Sequence, residues 1–403
     1  MGLLLRLGFL MSTQPSVRRG PSTLLWLLLS GLVLWLFVGC GRGTLYVPMD
    51  SGRGNWLSTG GGPGGVAALE GGPQPPLELL WSQNTGAAPV GGALLAGPLV
   101  LQATQSERVY AFDLVDGQRV GRRGSKAAVC GPATIARRFS ETLVLSEAGR
   151  KPRLRGYDRR TGKVTWEIES SACAPLVGRS DTVLSVTDAG NLLALASDDG
   201  SQLWVTALPH HPSTGAVFTD DVAVVGGADG AVMALNLEDG SVRWETRLLD
   251  GVAVRGQPLS TADQVFAATG DGQIWAMSRD GHVEWSAGVT GLPAQGMSLM
   301  GEVLVVGTSD RSVYGLSTVD GRQLWRYEAG GIIRGAPATT STTVYLGSTA
   351  GYLDALSLET GEQVWTYELD APIRSSIVLA KDLLTVTTQV GTVYLFASQS
   401  ALR

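Results

Sequence analysis

The chain has 403 residues, 44% of them apolar and only 17% charged, with 31 basic and 36 acidic side chains and a formal net charge of −5. This composition supplies a large buried core and excludes a disordered polymer, while the acidic balance lacks the phosphate-binding field of a nucleic-acid protein. Glycine is over-used, at 54 residues with no collagen-like period, which points to many tight turns and therefore many short strands.

The first 39 residues read as an export signal. Arg6, Arg18 and Arg19 stand alone without any acid, and Leu24 to Val38 is almost wholly apolar. Fifteen residues rise about 22 Å as a helix, short of a hydrocarbon core about 30 Å thick. A basic region, an apolar run of this length and the small Gly39 fit a cleaved signal. The run Phe37-Val38-Gly39-Cys40 resembles a bacterial lipobox, with phenylalanine where leucine is usual. That resemblance implies that Cys40 is diacylated and becomes the new N-terminus. A plain signal peptide or an N-terminal membrane anchor is the other reading, and Met11 offers a second start. Cleavage before Cys40 removes three arginines and takes the net charge from −5 to −8. Residues 41–78 carry GGGPGG and GGPQPP, with little that could pack, so a flexible tether is expected from Cys40 to residue 78.

A repeat of about forty residues fills the remainder, 79–399. Turn dipeptides are followed four residues later by tryptophan at Gly162/Trp166, Gly200/Trp204, Gly240/Trp244, Gly281/Trp285, Gly321/Trp325 and Gly361/Trp365, the glycines 38 to 41 apart. A degraded copy has Gly117 followed by Gly121 in the tryptophan position, and Trp81 lies 40 residues before Gly121. A strand-like segment precedes each turn, from RVYAFDL at 108–114 to VYLFASQ at 393–399, with a further apolar strand before most of them. Four short strands per forty residues is the pattern of a propeller blade. There are eight copies of the third strand, and the tryptophan-bearing strand at Trp81 precedes them all. The expected fold is therefore an all-β, eight-bladed propeller whose ring is closed by the N-terminal strand in the last blade. The tryptophans are read as core wedges between blades.

The unit V-x-A-L-x-x-x-x-G-x-x-x-W resembles the pyrroloquinoline-quinone-type propeller repeat. With the lipobox, the glycine-rich leash and eight blades closed by the N-terminal strand, the whole resembles the BamB-type lipoproteins, periplasmic subunits of the machinery that assembles outer-membrane β-barrels. The resemblance implies a non-enzymatic, lipid-anchored scaffold at the outer membrane, facing the periplasm. It also implies two partners, the barrel-assembly protein and nascent outer-membrane chains. In that family a loop with leucines and an arginine carries docking contact; its counterpart here is Leu208-Pro209-His210-His211-Pro212, with histidines where leucine and arginine are expected. His210 and His211 are thus a candidate docking patch, charged in part near pH 6–7, or a solvated loop. Gly41 after the cysteine resembles the outer-membrane sorting pattern.

The repeat also yields a ring of equivalent positions: Val90, Cys130, Cys173, Thr214, Arg255, Gln295, Arg334 and Arg374, spaced 39 to 43 residues apart. Equivalent positions on innermost strands encircle the channel. Arg255, Arg334 and Arg374 would form a positive spot suited to carboxylates and carbonyls, unless each is paired by an acid of its own blade. Cys130 and Cys173 share that position in consecutive blades; an oxidising compartment permits a disulfide, and two buried thiols are the alternative.

Catalysis has little material. A quinone dehydrogenase on this fold needs a calcium site of converging oxygens, and such enzymes carry adjacent cysteines and a larger domain. No C-x-x-C-H or G-x-x-x-x-G-K-[ST] occurs, and only three histidines are present, His210, His211 and His282. No cofactor, metal or nucleic acid is expected. The alternative function is a generic exported propeller that binds a peptide, polysaccharide or small ligand.

Overall fold

The computed structural model describes residues 43–46, 55–62, 64–137 and 141–399. The signal segment and Cys40 lie outside the described residues. Every described element is a β-strand, and the strands form eight sheets, seven of four strands and one of five. This is the eight-bladed propeller that the forty-residue period predicts.

Blade 5 illustrates the unit. Its strands Val254–Ser260, Gln264–Thr269, Gln273–Ser278 and Val283–Gly288 pair antiparallel in sequence order, from the innermost strand outward. Middle strands are apolar throughout, as in Val222–Gly226 of blade 4, because both faces are covered by neighbouring blades. Outermost strands alternate, as in Gln202–Ala207, where Trp204 is buried between exposed neighbours. The last blade is completed by Leu77–Asn84, which pairs antiparallel with Thr392–Ser398, Trp81 opposite Leu395.

Six of the repeat tryptophans bond the blade ahead of them. The indole N–H groups of Trp81, Trp166, Trp204, Trp244, Trp285 and Trp325 donate to the carbonyls of Leu114, Ser197, Leu237, Arg279, Thr318 and Leu358, at 2.8–3.2 Å. The turn glycine of that next blade lies flat against the indole. At Gly321, φ is +73° and a Cβ would stand 2.5 Å from the Trp285 ring, so only glycine fits both the backbone and the space.

Blade 1 has Gly121 where a tryptophan belongs, and the N-terminal segment fills the gap. Gly43 bridges to Gly121, the Thr44 N–H donates to the Val120 carbonyl at 2.9 Å, and a Cβ on Gly121 would overlap the Thr44 carbonyl. Leu45, 2% exposed, enters the core shared by blades 1 and 2. Its carbonyl accepts from Nε of the fully buried Arg159, which is also ion-paired to Glu141. Arg123 reaches the Thr161 carbonyl beside turn glycine Gly162.

The expectation of a free tether to residue 78 is corrected for the described residues. Residues 55–62 and 64–69 cross the inner end of the channel. Trp56 exchanges backbone hydrogen bonds with Leu95 of blade 1, and Leu57 accepts from Ile135 of blade 2. Gly64, Val66 and Ala67 accept from Ser260, Leu299 and Thr339 of blades 5, 6 and 7. Ala68–Leu69 adds a parallel fifth strand inside Ala338–Thr340, and the Pro73 carbonyl accepts from Tyr345 Oη at 2.7 Å. Short inner strands leave backbone groups unpaired toward the axis, and this segment satisfies them. Glycines let the segment turn in a confined space, while Trp56, 3% exposed, supplies the apolar burial.

Candidate functional site

The inner strands run from the ring positions at one mouth to the N-terminal plug at the other end. Arg255 and the plug contact Ser260 are five residues apart, at most about 16 Å along a strand. Between the two ends lies a cavity of about 910 Å³, lined by Val90, Cys130, Cys173, Thr214 and Gln295 among the ring positions, with Thr59 contributed by the plug. A side cavity of about 270 Å³ continues from it between blades 5, 6 and 7, and Arg255, Gln295 and Arg334 are on its wall. Ser213, Gly256 and Gln295 border both.

Backbone hydrogen bonds knit the ring positions together. Gln295 N–H donates to the Arg334 carbonyl at 3.0 Å, and Gln257 N–H donates to the Gln295 carbonyl at 2.8 Å. The small residue after each ring position permits this approach: a Cβ on Gly256 would meet the Ala294 carbonyl oxygen at 2.5 Å. Ile377 N–H donates to the Ala336 carbonyl, which carries the seam from blade 7 to blade 8.

Arg255, Arg334 and Arg374 are all exposed, and none of their guanidinium groups has a hydrogen-bond or ion-pair partner among the described residues. Pairing by an acid of the same blade therefore does not occur among those residues. Other arginines of this face behave differently. Arg247 is paired with Asp250 and Asp229, Arg311 with Glu328, and Arg326 with Asp310. In blade 2, Arg155 is buried between Glu147 and Glu167 while Tyr157 Oη donates to Glu147 at 2.8 Å. Sequence reasoning missed that ion network, whose only signal is a charged residue in each of three adjacent strands.

The opposite arc is neutral or acidic. Cys130 and Cys173 form a disulfide, their Cα atoms 5.1 Å apart, joining blades 2 and 3 on the cavity wall. Asp188, also on the wall, accepts from Ser171 Oγ.

The two histidines separate. His211 lines the cavity, with Nδ1 3.1 Å from the Pro212 carbonyl. His210 lies between two carboxylates, Nδ1 2.7 Å from Asp229 and Nε2 2.6 Å from Glu245. Burial works against a charged imidazole here, but the hydrogen bonds to Glu245 and Asp229 outweigh it and hold the His210 pKa above its ordinary value. His210 is thus tied to Asp229 and Glu245 of its own blade. Among the described residues, no group of three or more His, Cys, Asp or Glu is disposed to hold a metal ion.

Fold and site together define a closed eight-bladed propeller of the pyrroloquinoline-quinone-type repeat with a plugged channel. The family model described as outer membrane protein assembly factor BamB matches at residues 39–186, 78–216, 188–301 and 297–402, and the chain belongs to that family. A BamB of Burkholderia pseudomallei is 30% identical over 262 residues, 58% of this chain and 66% of that protein. The chain thus spans just under two thirds of that relative. One from Yersinia pestis is 25% identical over 318 residues, 73% of this chain and 78% of that protein. Among solved structures, BamB from Moraxella catarrhalis superposes with a TM-score of 0.66 at 18% identity, covering 80% of this chain and 99% of that one. A quinohemoprotein alcohol dehydrogenase from Comamonas testosteroni superposes with a TM-score of 0.68 at 13% identity, covering 85% and 80%. Both likenesses concern the fold alone, and fold and chemistry are separable.

Proposed function

We propose that the chain is a non-enzymatic scaffold of the machinery that assembles outer-membrane β-barrel proteins, held to the outer membrane through lipid on Cys40 and facing the periplasm. In this reading it docks on the barrel-assembly protein and helps hand over nascent barrel chains. The observation that carries the proposal is the family match, whose overlapping segments run without a gap from residue 39 to residue 402. The relatives named above are assembly factors by name. The site chemistry suits a binding role: three ring-position arginines whose side chains are unpaired among the described residues can hold a partner.

The test is affinity purification of tagged full-length chain from mildly solubilised native membranes, read by mass spectrometry beside a Cys40→Ser variant. The barrel-assembly protein should accompany the wild type, and Cys40→Ser should leave the membrane fraction. Repeated purifications without the barrel-assembly protein would overturn the scaffold reading. Cys40→Ser protein retained in the membrane would overturn the lipid anchor.

A further inference from the structure

The N-terminal plug and the arginine arc have a joint consequence. Trp56, Leu57, Gly64, Val66 and Ala67 hydrogen-bond the inner strands of blades 1, 2, 5, 6 and 7, and a Cβ on Gly65 would stand 3.0 Å from the Val217 side chain of blade 4. The channel is therefore stopped at that end, and the cavity, with Thr59 on its wall, is entered from the ring-position mouth. A chain threading through would have to displace that segment. An occupant must be a loop or a chain end that enters and leaves by one opening.

That opening is polarised. The ring positions of blades 5, 7 and 8 are arginines, with Gln295 of blade 6 between the first two. Blades 1 to 3 present Val90 and the Cys130–Cys173 disulfide, with the Asp188 carboxylate on the same side. Other carboxylates of this face are held in local turns or pairs: Asp229 by His210 and Arg247, Asp271 by Thr269, Asp310 by Thr290, Thr308 and Arg326. None of them is ion-paired to Arg255, Arg334 or Arg374. Three guanidinium forks without partners among the described residues, spread over four consecutive blades, match several carboxylates along one backbone better than a single small anion. The cavity volume of about 910 Å³ suits a short segment and excludes a folded domain.

We propose that the mouth of this blind vestibule is a binding site for an extended acidic peptide segment, with its carboxylates on Arg255 and Arg334 at the wall of the side cavity and on Arg374 at the equivalent ring position of blade 8. The assignment goes beyond the scaffold reading and does not depend on it, because it can be measured with purified protein alone.

The experiment uses the purified full chain and a fluorescein-labelled ten-residue peptide alternating glutamate with serine, followed by anisotropy at low and physiological salt. Its counterpart with glutamine for glutamate is the control. The acidic peptide should bind, weaken with salt, and bind about tenfold more tightly than the glutamine peptide. An Arg255→Gln/Arg334→Gln/Arg374→Gln variant should lose about the same factor with unchanged thermal unfolding, since the three side chains are exposed and unpaired. The matching Arg→Lys triple variant keeps the charge without the fork and should fall between the two; it serves if the glutamine variant unfolds. Equal binding by wild type and the glutamine variant, equal binding of the two peptides, or no binding of the acidic peptide would each overturn the proposal. Failure here leaves recovery of the barrel-assembly protein from membranes unaffected, so the two readings fail separately.

Discussion

At Gly321 the backbone has φ +73° and the Trp285 indole occupies the space a side chain would need. Gly321→Ala meets both penalties and should destabilise the protein by about 2 kcal/mol, read as a lowered denaturant midpoint. Trp81→Ala is expected to cost more, about 3–5 kcal/mol, because it also removes the indole bond to Leu114 that ties the last blade to the first. His210 gives a pH signature. Its folded pKa is raised by Glu245 and Asp229 against the opposing effect of burial, so its contribution is complete below the unfolded value of about 6.5 and is lost as pH rises through the folded value. Wild type should therefore lose stability across that neutral window relative to His210→Ala, whose curve should be flatter there. Parallel curves would mean that the carboxylate clamp contributes nothing to stability.

At the scale of elements, the strands and their order follow directly from the repeat. The third strands observed, from Arg108–Asp113 to Thr392–Ser398, coincide with the eight segments read from the pattern. The one irregular position, Gly121, is legible as a missing tryptophan, but its substitute is not. Leu45 lies 76 residues upstream of Gly121 in a segment without repeat or strand pattern. Leu45→Ala should cost about 2–4 kcal/mol, since the side chain is buried between two blades and cannot be replaced by a neighbour. A midpoint equal to wild type would show that the segment merely rests on the surface.

Across the whole molecule, ring closure has three contributions: the N-terminal strand in blade 8, the plug across the inner strands, and the disulfide between blades 2 and 3. The disulfide closes a loop of 43 residues, and Cys130→Ser/Cys173→Ser is expected to lower stability by about 2–4 kcal/mol, checked by thermal unfolding of the paired variant beside oxidised wild type. An unchanged midpoint would show that blade packing alone sets the stability of that seam. The candidate site was legible only in part. The ring positions, and the arginines on them, follow from spacing, because equivalent residues of a closed repeat must form a circle. Whether those arginines are paired depends on which acids the neighbouring blades bring within reach, and the order along the chain does not state that.

The sequence by itself determined the architecture: a forty-residue period of turn glycine and tryptophan, repeated until the ring is full, with an N-terminal strand left over to close it. These signals are local and recur eight times, so each copy corroborates the others. Tertiary structure alone decided that the glycine-rich stretch is a plug rather than a leash, that Leu45 fills the place beside Gly121, that Cys130 and Cys173 are joined, and that the side chains of the mouth arginines have no partner among the described residues. Each of these is a single-copy event between residues far apart in the chain. Composition and period carry no record of such events, because burial and pairing there are set by which surfaces the closed ring brings face to face.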